Sequence, residues 1–362
     1  MRERAAAVAK ALGGAGVDAL LCLHGEGLPR TDVRYLSGFS GSSAALLIAR
    51  GQCVLLTDGR YQEQASAECP EWDAEILPSG GSLAETIGES CRSRGFARIG
   101  YEPEGVTAGM LDRLRDAGSA CFVPAEGLVQ ERRRCKGPEE IASIESAARI
   151  VDAALEATAR LARAGAAERD IALELELQMR RRGSEEAAFP TIVAAGPHSA
   201  LPHAQPTDRR LAAGDLVCID CGATVGGYRS DLTRAWVVGE PDAEQRRVHA
   251  AVLRAHDRAL AQVGPGVVSD DLNDAAHEEL AAAGIGDWWR HGVGHGVGLD
   301  IHEAPSLRAR AGNELAAGDV VTIEPGAYRA GWGGIRVEDL VLVTETGART
   351  LSAAPTALRV IG

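Results

Sequence analysis

The chain has 362 residues, 45% of them apolar and 25% charged, with a formal net charge of −13. At about 150 residues per domain this is roughly two domains, each long enough to bury a core without a disulfide or metal staple. So acidic a surface repels phosphate backbones and anionic headgroups, which argues against nucleic acid or membrane as a partner. No apolar run approaches the ~20 residues of a bilayer span. Basic residues are 36 Arg beside only Lys10 and Lys136, a ratio expected of a GC-rich genome and not of an Arg-specific binding surface.

The opening stretch MRERAAAVAKALGGAG alternates in charge and has no long apolar centre, unlike a signal peptide. Residues 3–13 read as a helix stopped by Gly13-Gly14, followed by a buried strand from Val17 to Leu23. Ala44–Ile48 and Cys53–Leu56 flank Arg50-Gly51-Gln52 as a hairpin. Helical patterns follow at Leu83–Arg94 and Ala108–Asp116, with a strand at Ala97–Tyr101 between them. This alternation predicts an α/β layer domain over residues 1–132.

Arg132-Arg133-Arg134-Cys135-Lys136-Gly137 reads as a solvated linker opening a second domain, 133–362. Pro138 suits a first helical position, and Glu139 and Glu140 favour the helix N-terminus. Ile141, Ile144, Ala148, Val151 and Leu155 then form one apolar helical stripe, and a second helix covers Asp170–Arg182. The eight cysteines lie between residues 22 and 221 without framework spacing and read as reduced thiols of a cytoplasmic protein. Cys218-x-x-Cys221 sits inside an apolar strand with no second Cys or Cys-His pair nearby, so it reads as strand and not as a zinc or redox half-site.

An internal repeat organises the second domain. Leu211-Ala-Ala-Gly-Asp-Leu-Val-Cys-Ile-Asp220 matches Leu315-Ala-Ala-Gly-Asp-Val-Val-Thr-Ile-Glu324 at seven of ten positions, 104 residues apart. Each copy is a turn and a buried strand ending in a carboxylate. Two helical stretches precede each, 138–163 with 170–182 and 242–263 with 270–283. The expectation is two α+β halves packed about a pseudo-twofold axis, each sending an acidic strand end to the same place. Each half adds a second acid in apolar, strand-forming surroundings, Asp231 in the first and Glu338 in the second. Buried there, a carboxylate must be paired or metal-bound, and four converging without a cation would repel one another.

Histidine completes the set. His291-Gly-Val-Gly-His295-Gly-Val-Gly-Leu-Asp-Ile-His302 carries three of the nine histidines, with glycines that permit close backbone approach. His198 and His203 lie in the first half.

Asp220 and Asp231 eleven residues apart, Gly-His295-Gly-x-Gly with His302, Glu324-Pro-Gly and Arg-x-Glu338 together resemble the pita-bread metallopeptidases, the family of methionine aminopeptidase, prolidase and aminopeptidase P. The resemblance covers about residues 135–350. It implies that Asp220, Asp231, His295, Glu324 and Glu338 bind two divalent metals, with Asp231 and Glu338 bridging. A mostly oxygen donor set suits Mn²⁺, with Co²⁺ or Zn²⁺ able to substitute. It also implies a general base in Glu324, a supporting Arg336, and three non-ligand histidines, His203, His291 and His302, that orient substrate and move protons.

An α/β domain ahead of this region is similar to prolidase and aminopeptidase P, as are Asp32-Val-Arg-Tyr-Leu-Ser-Gly-Phe39 and Thr57-Asp-Gly-Arg-Tyr61. The resemblance implies hydrolysis of the Xaa-Pro bond of a di- or oligopeptide by a homodimer, in which Asp32 or Phe39 helps close the site of the other subunit. Dipeptidase is favoured over aminopeptidase P if Arg308 or Arg310 clamps a dipeptide carboxylate. A metal-free binding module on the same fold is the other reading, and the survival of all five ligand types speaks against it.

Overall fold

A computed structural model of the chain describes residues 2–25, 31–118 and 120–362. It comprises two compact units, Met1–Arg133 and Arg134–Gly362. Among the described residues no helix is long and apolar enough to cross a membrane.

The first unit is a six-stranded mixed sheet in the order Asp73–Leu77, Gln52–Asp58, Ala44–Ala49, Ala19–His24, Arg98–Tyr101, Cys121–Pro124. The expected hairpin forms, with Ala49 opposite Gln52 across the two-residue turn. Leu21, Leu47 and Leu56 point from neighbouring strands into one core with Ile87 and Ile99, as period-two alternation requires. Helices Leu83–Arg94 and Ala108–Asp116 have the bounds read from sequence, and the Thr107 side chain caps the latter by accepting from the Met110 N–H.

Two expectations for this unit need correcting. The first helix runs through Gly13 and Gly14 to Ala15. Interior glycines cost roughly 0.5–1 kcal/mol each, yet they do not stop it; Gly16, at φ +65°, does. Nor are the arginines of the 132–137 stretch a solvated linker. Gln130–Arg134 is helical, Arg133 is buried against Asp32 at 2.8 Å, and Arg132 donates to the Leu128 carbonyl at 2.7 Å. Arg134, itself the first residue of the second unit, grips Asp319 of that same unit through two 2.8 Å bonds. Guanidinium groups with carboxylates and carbonyls in reach bind them in preference to water. Elsewhere in this unit Asp32 pairs with Arg133, and Phe39 is fully buried edge-on against Tyr61.

The second unit has the two-halved build that the repeat predicts. The first half carries helices Pro138–Thr158 and Glu168–Arg181 and a four-stranded sheet in the order Arg359–Ile361, Leu232–Val238, Leu216–Cys221, Ile192–Ala195. The second carries helices Ala243–Leu260 and Ser269–Ala282 and a five-stranded sheet in the order Glu303–Ser306, His295–Gly296, Val320–Ile323, Asp339–Thr344, Gly347–Thr350. In each half the repeat strand leads through a short two-stranded ribbon into the next strand. The ribbons are Thr224–Val225 with Tyr228–Arg229, and Gly326–Arg329 with Gly333–Arg336.

The helix stripe of Ile144, Ala148, Val151 and Leu155 is buried, with Ile141 half-buried at its end. Its core, with Ile219 and Trp236, belongs to the first half, and a second core around Val252, Leu272, Val321 and Val341 belongs to the other. Cys218 and Cys221 are buried in the strand Leu216–Cys221, and all eight cysteines are free.

Candidate metal centre

Strand geometry delivers the acids. Asp220 is the penultimate residue of Leu216–Cys221, and Glu324 directly follows Val320–Ile323. Asp231 and Glu338 directly precede Leu232–Val238 and Asp339–Thr344. Each of those strands runs antiparallel to its repeat strand, with Thr233 opposite Asp220 and Asp339 opposite Ile323. An antiparallel pair places the end of one strand beside the start of the next, so each half presents both of its carboxylates at one edge.

His295 arrives from a third direction, at a register shift in its strand pairing, a bulge of the kind that re-aims a side chain. Its strand passes so close to the neighbouring one that a Cβ on Gly294 would lie 2.0 Å from the Thr322 carbonyl oxygen, so only glycine fits there.

These groups line one cavity of about 350 Å³ in the second unit. Asp220, Asp231, His295, Glu324 and Glu338 are all on its wall, as are His203, His291, His302 and Arg336; Phe189, Pro190 and Ile192 form an apolar side. Arg308 lines it and Arg310 does not. His198, by contrast, is tied to the buried Glu168 at 2.9 Å and has a structural part.

The donor set fits divalent cations. Donor atoms of Asp231, His295 and Glu338 lie within 4.8 Å of one another. His295 Nδ1 donates to the Gly296 carbonyl, which leaves the Nε2 lone pair facing Asp231 and Glu324 at 3.5 Å each. That is too long for a hydrogen bond and is the separation of donors that share an ion at roughly 2.1 Å apiece. Asp220 Oδ1 is buried with no hydrogen-bond partner, although its other oxygen is held by Arg336. A buried carboxylate oxygen left without a donor is costly and marks a place for a cation.

The field inside the cavity is that of crowded acids. Burial, and then Glu338 and Asp220, raise the Asp231 carboxyl well above its usual range; burial and Glu324 do the same for Glu338. Burial brings Glu324 up to about 7, against the lowering pull of Arg336. Burial, with His302 beside it, depresses His295 to about 3, which keeps the imidazole neutral, the form that binds metals.

Around the acids runs a hydrogen-bonded frame that sequence reading missed in part. Arg336 donates to Asp220 at 2.5 Å, to Thr233 Oγ1 at 2.9 Å and to the Tyr328 hydroxyl at 2.7 Å. Thr233 in turn donates to Glu338 at 2.7 Å. The Tyr328 hydroxyl lies 3.0 Å from His291 Nε2, while His291 Nδ1 donates to the Gly292 carbonyl at 2.8 Å. Both nitrogens of His291 are therefore engaged. His203 and His302 are solvent-exposed at the cavity. Thr233 had a signal in the sequence, two residues beyond Asp231 on the same strand face; Tyr328 had none.

A profile of metallopeptidase family M24 matches residues 142–345, and one of the creatinase/prolidase N-terminal domain matches residues 4–135. An Xaa-Pro dipeptidase of Pyrococcus horikoshii is 33% identical over 322 residues, 89% of this chain and 90% of its own. The solved structure of an Xaa-Pro dipeptidase from Bacillus anthracis superposes with a TM-score of 0.94 at 32% identity, covering 99% of both chains. That of an X-Pro aminopeptidase from Thermotoga maritima does so at 0.93 and 34% identity, covering 100% of this chain and 99% of that one. With a creatinase/prolidase N-terminal domain followed by a pita-bread catalytic domain, the chain belongs to metallopeptidase family M24.

Proposed function

We propose that this chain hydrolyses the Xaa-Pro bond of short peptides as an Xaa-Pro dipeptidase, in which Asp220, Asp231, His295, Glu324 and Glu338 would hold two divalent ions. The observation that carries this reading is the buried, donorless Oδ1 of Asp220 in a cavity ringed by three more carboxylates and a neutral histidine. A donor set this rich in oxygen favours Mn²⁺. When bound, the ions supply Lewis acidity, polarising the scissile carbonyl and acidifying the attacking water.

The remaining work falls to side chains of this chain. Glu324 takes the proton of the attacking water. His302 and His203, exposed at the cavity, donate to the developing oxyanion and return a proton to the leaving imino nitrogen. His291, with both nitrogens engaged, aligns Tyr328 and through it Arg336, which holds Asp220 in place. Arg308, at the cavity wall, receives the free carboxylate of the dipeptide.

The relatives named above include both a dipeptidase and an aminopeptidase, so fold does not separate the two activities. A homodimer in the cytoplasm is part of the same proposal. Hydrolysis of Ala-Pro beside Ala-Pro-Ala, with added Mn²⁺, tests it. Cleavage of Ala-Pro in preference supports the dipeptidase, preference for the longer peptide supports aminopeptidase P, and no cleavage of either by the metal-loaded protein overturns both.

A further inference from the structure

His302 carries a proton-transfer role in the reading above, yet nothing anchors its ring directly. Among the described residues it makes no side-chain hydrogen bond; the edge of the His295 ring, 4.2 Å away between centroids, is its aromatic neighbour. A group that must meet a reacting atom within a fraction of an ångström then depends on the backbone that carries it. That backbone is a tight loop between His295–Gly296 and Glu303–Ser306.

The residue after His302 is the one that is tied down. Glu303 Oε1 lies 2.7 Å from Lys136 Nζ, in a pair whose side chains are only 9% and 1% exposed. Its other oxygen faces the Asp300 amide at 3.4 Å, across the loop. The carboxylate fills the space over Gly298, where a Cβ would come within 2.3 Å of Oε1. Lys136 is itself fixed, since its amide donates to the Gly318 carbonyl at 2.9 Å and the preceding Arg134 is clamped on Asp319. Only two lysines occur in the chain. An ammonium so deeply buried is retained only where it meets a charge.

We infer that the buried Lys136–Glu303 ion pair is a positioning device that locks the 296–304 loop and thereby sets His302 against the substrate. Lys136 and Glu303 are positioning residues, acting through the loop. The inference rests on the proton-transfer role given to His302 above.

The test uses the full chain. Lys136→Met/Glu303→Gln removes the pair without leaving a bare buried charge, and Lys136→Arg keeps the charge. Two readouts are taken. The first is amide hydrogen exchange of the metal-free protein over residues 296–306. The neutral pair should speed exchange there by about tenfold or more, with other segments unchanged, and Lys136→Arg should stay near wild type. The second is a double-mutant cycle on Ala-Pro hydrolysis. The neutral pair should lower kcat by about tenfold or more, and by no more than the ~10²–10⁴ expected on losing the histidine itself, with little change in KM. In a His302→Ala background the same change should add almost nothing.

Wild-type exchange in this segment, or losses that multiply in the His302→Ala background, would overturn the inference. If the neutral pair does not fold, Glu303→Gln alone, which keeps the shape of the side chain and removes its charge, is read against the same outcomes. A wild-type protein that cleaves no Xaa-Pro peptide overturns the functional reading, and the exchange measurement still decides whether the pair holds the loop.

Discussion

Arg336 donates to one oxygen of Asp220 at 2.5 Å and leaves the other buried without a partner. The guanidinium therefore aims the carboxylate without neutralising all of it, and a vacant oxygen is what a cation site needs. The same Arg336 reaches Thr233, and Thr233 reaches Glu338, so a single cation orders an acid from each half of the repeat.

Breaking that frame should cost stability. Arg336 is 4% exposed, and removing one partner of a buried pair typically costs about 3–5 kcal/mol. Arg336→Met should lower the melting temperature of the metal-free protein by roughly 10 °C, given the usual entropy of unfolding for domains of this size, and Arg336→Lys should lose less. Differential scanning calorimetry of the three proteins side by side checks this.

Asp231→Asn keeps the shape of the side chain and removes its charge. The purified variant should hold at least one metal ion fewer per chain, with turnover down by orders of magnitude and the circular dichroism spectrum intact. Elemental analysis showing full occupancy together with normal turnover would remove Asp231 from the ligand set.

His302→Ala should keep both metals, because its ring stands beside His295 without sharing the carboxylates. Its kcat on Ala-Pro should fall by about 10²–10⁴, the usual range for a proton-transfer group. Metal loss accompanying the substitution, measured on the same preparation, would show His302 to be a ligand.

Arg308 and Arg310 should separate cleanly. Arg308 lines the cavity, while Arg310 is exposed outside it, in the left-handed backbone region at φ +63°. Arg308→Ala should raise KM for Ala-Pro and spare longer peptides, since a bidentate carboxylate contact exists only for the free dipeptide; Arg310→Ala should leave both unchanged. Steady-state kinetics on Ala-Pro, its amide and Ala-Pro-Ala decide the matter.

Much of this centre is legible in one dimension because its parts are local. An acid closing a buried apolar strand, repeated 104 residues later, and histidines set among glycines are patterns of neighbouring residues, and burial alone demands that such charges find a counterion. Helix bounds such as Leu83–Arg94 are legible for the same reason, while the first helix outruns its glycines because the stop depends on the φ of Gly16. The frame is another matter. Thr233 meets Glu338 across 105 residues, Arg336 meets Asp220 across 116, and Lys136 finds Glu303 only once the strand beside His295 is in register. The part of Tyr328 in the frame, and the presence of Arg308 but not Arg310 at the cavity wall, follow from which side chains the packed sheets bring together, and that proximity is a property of the tertiary structure alone.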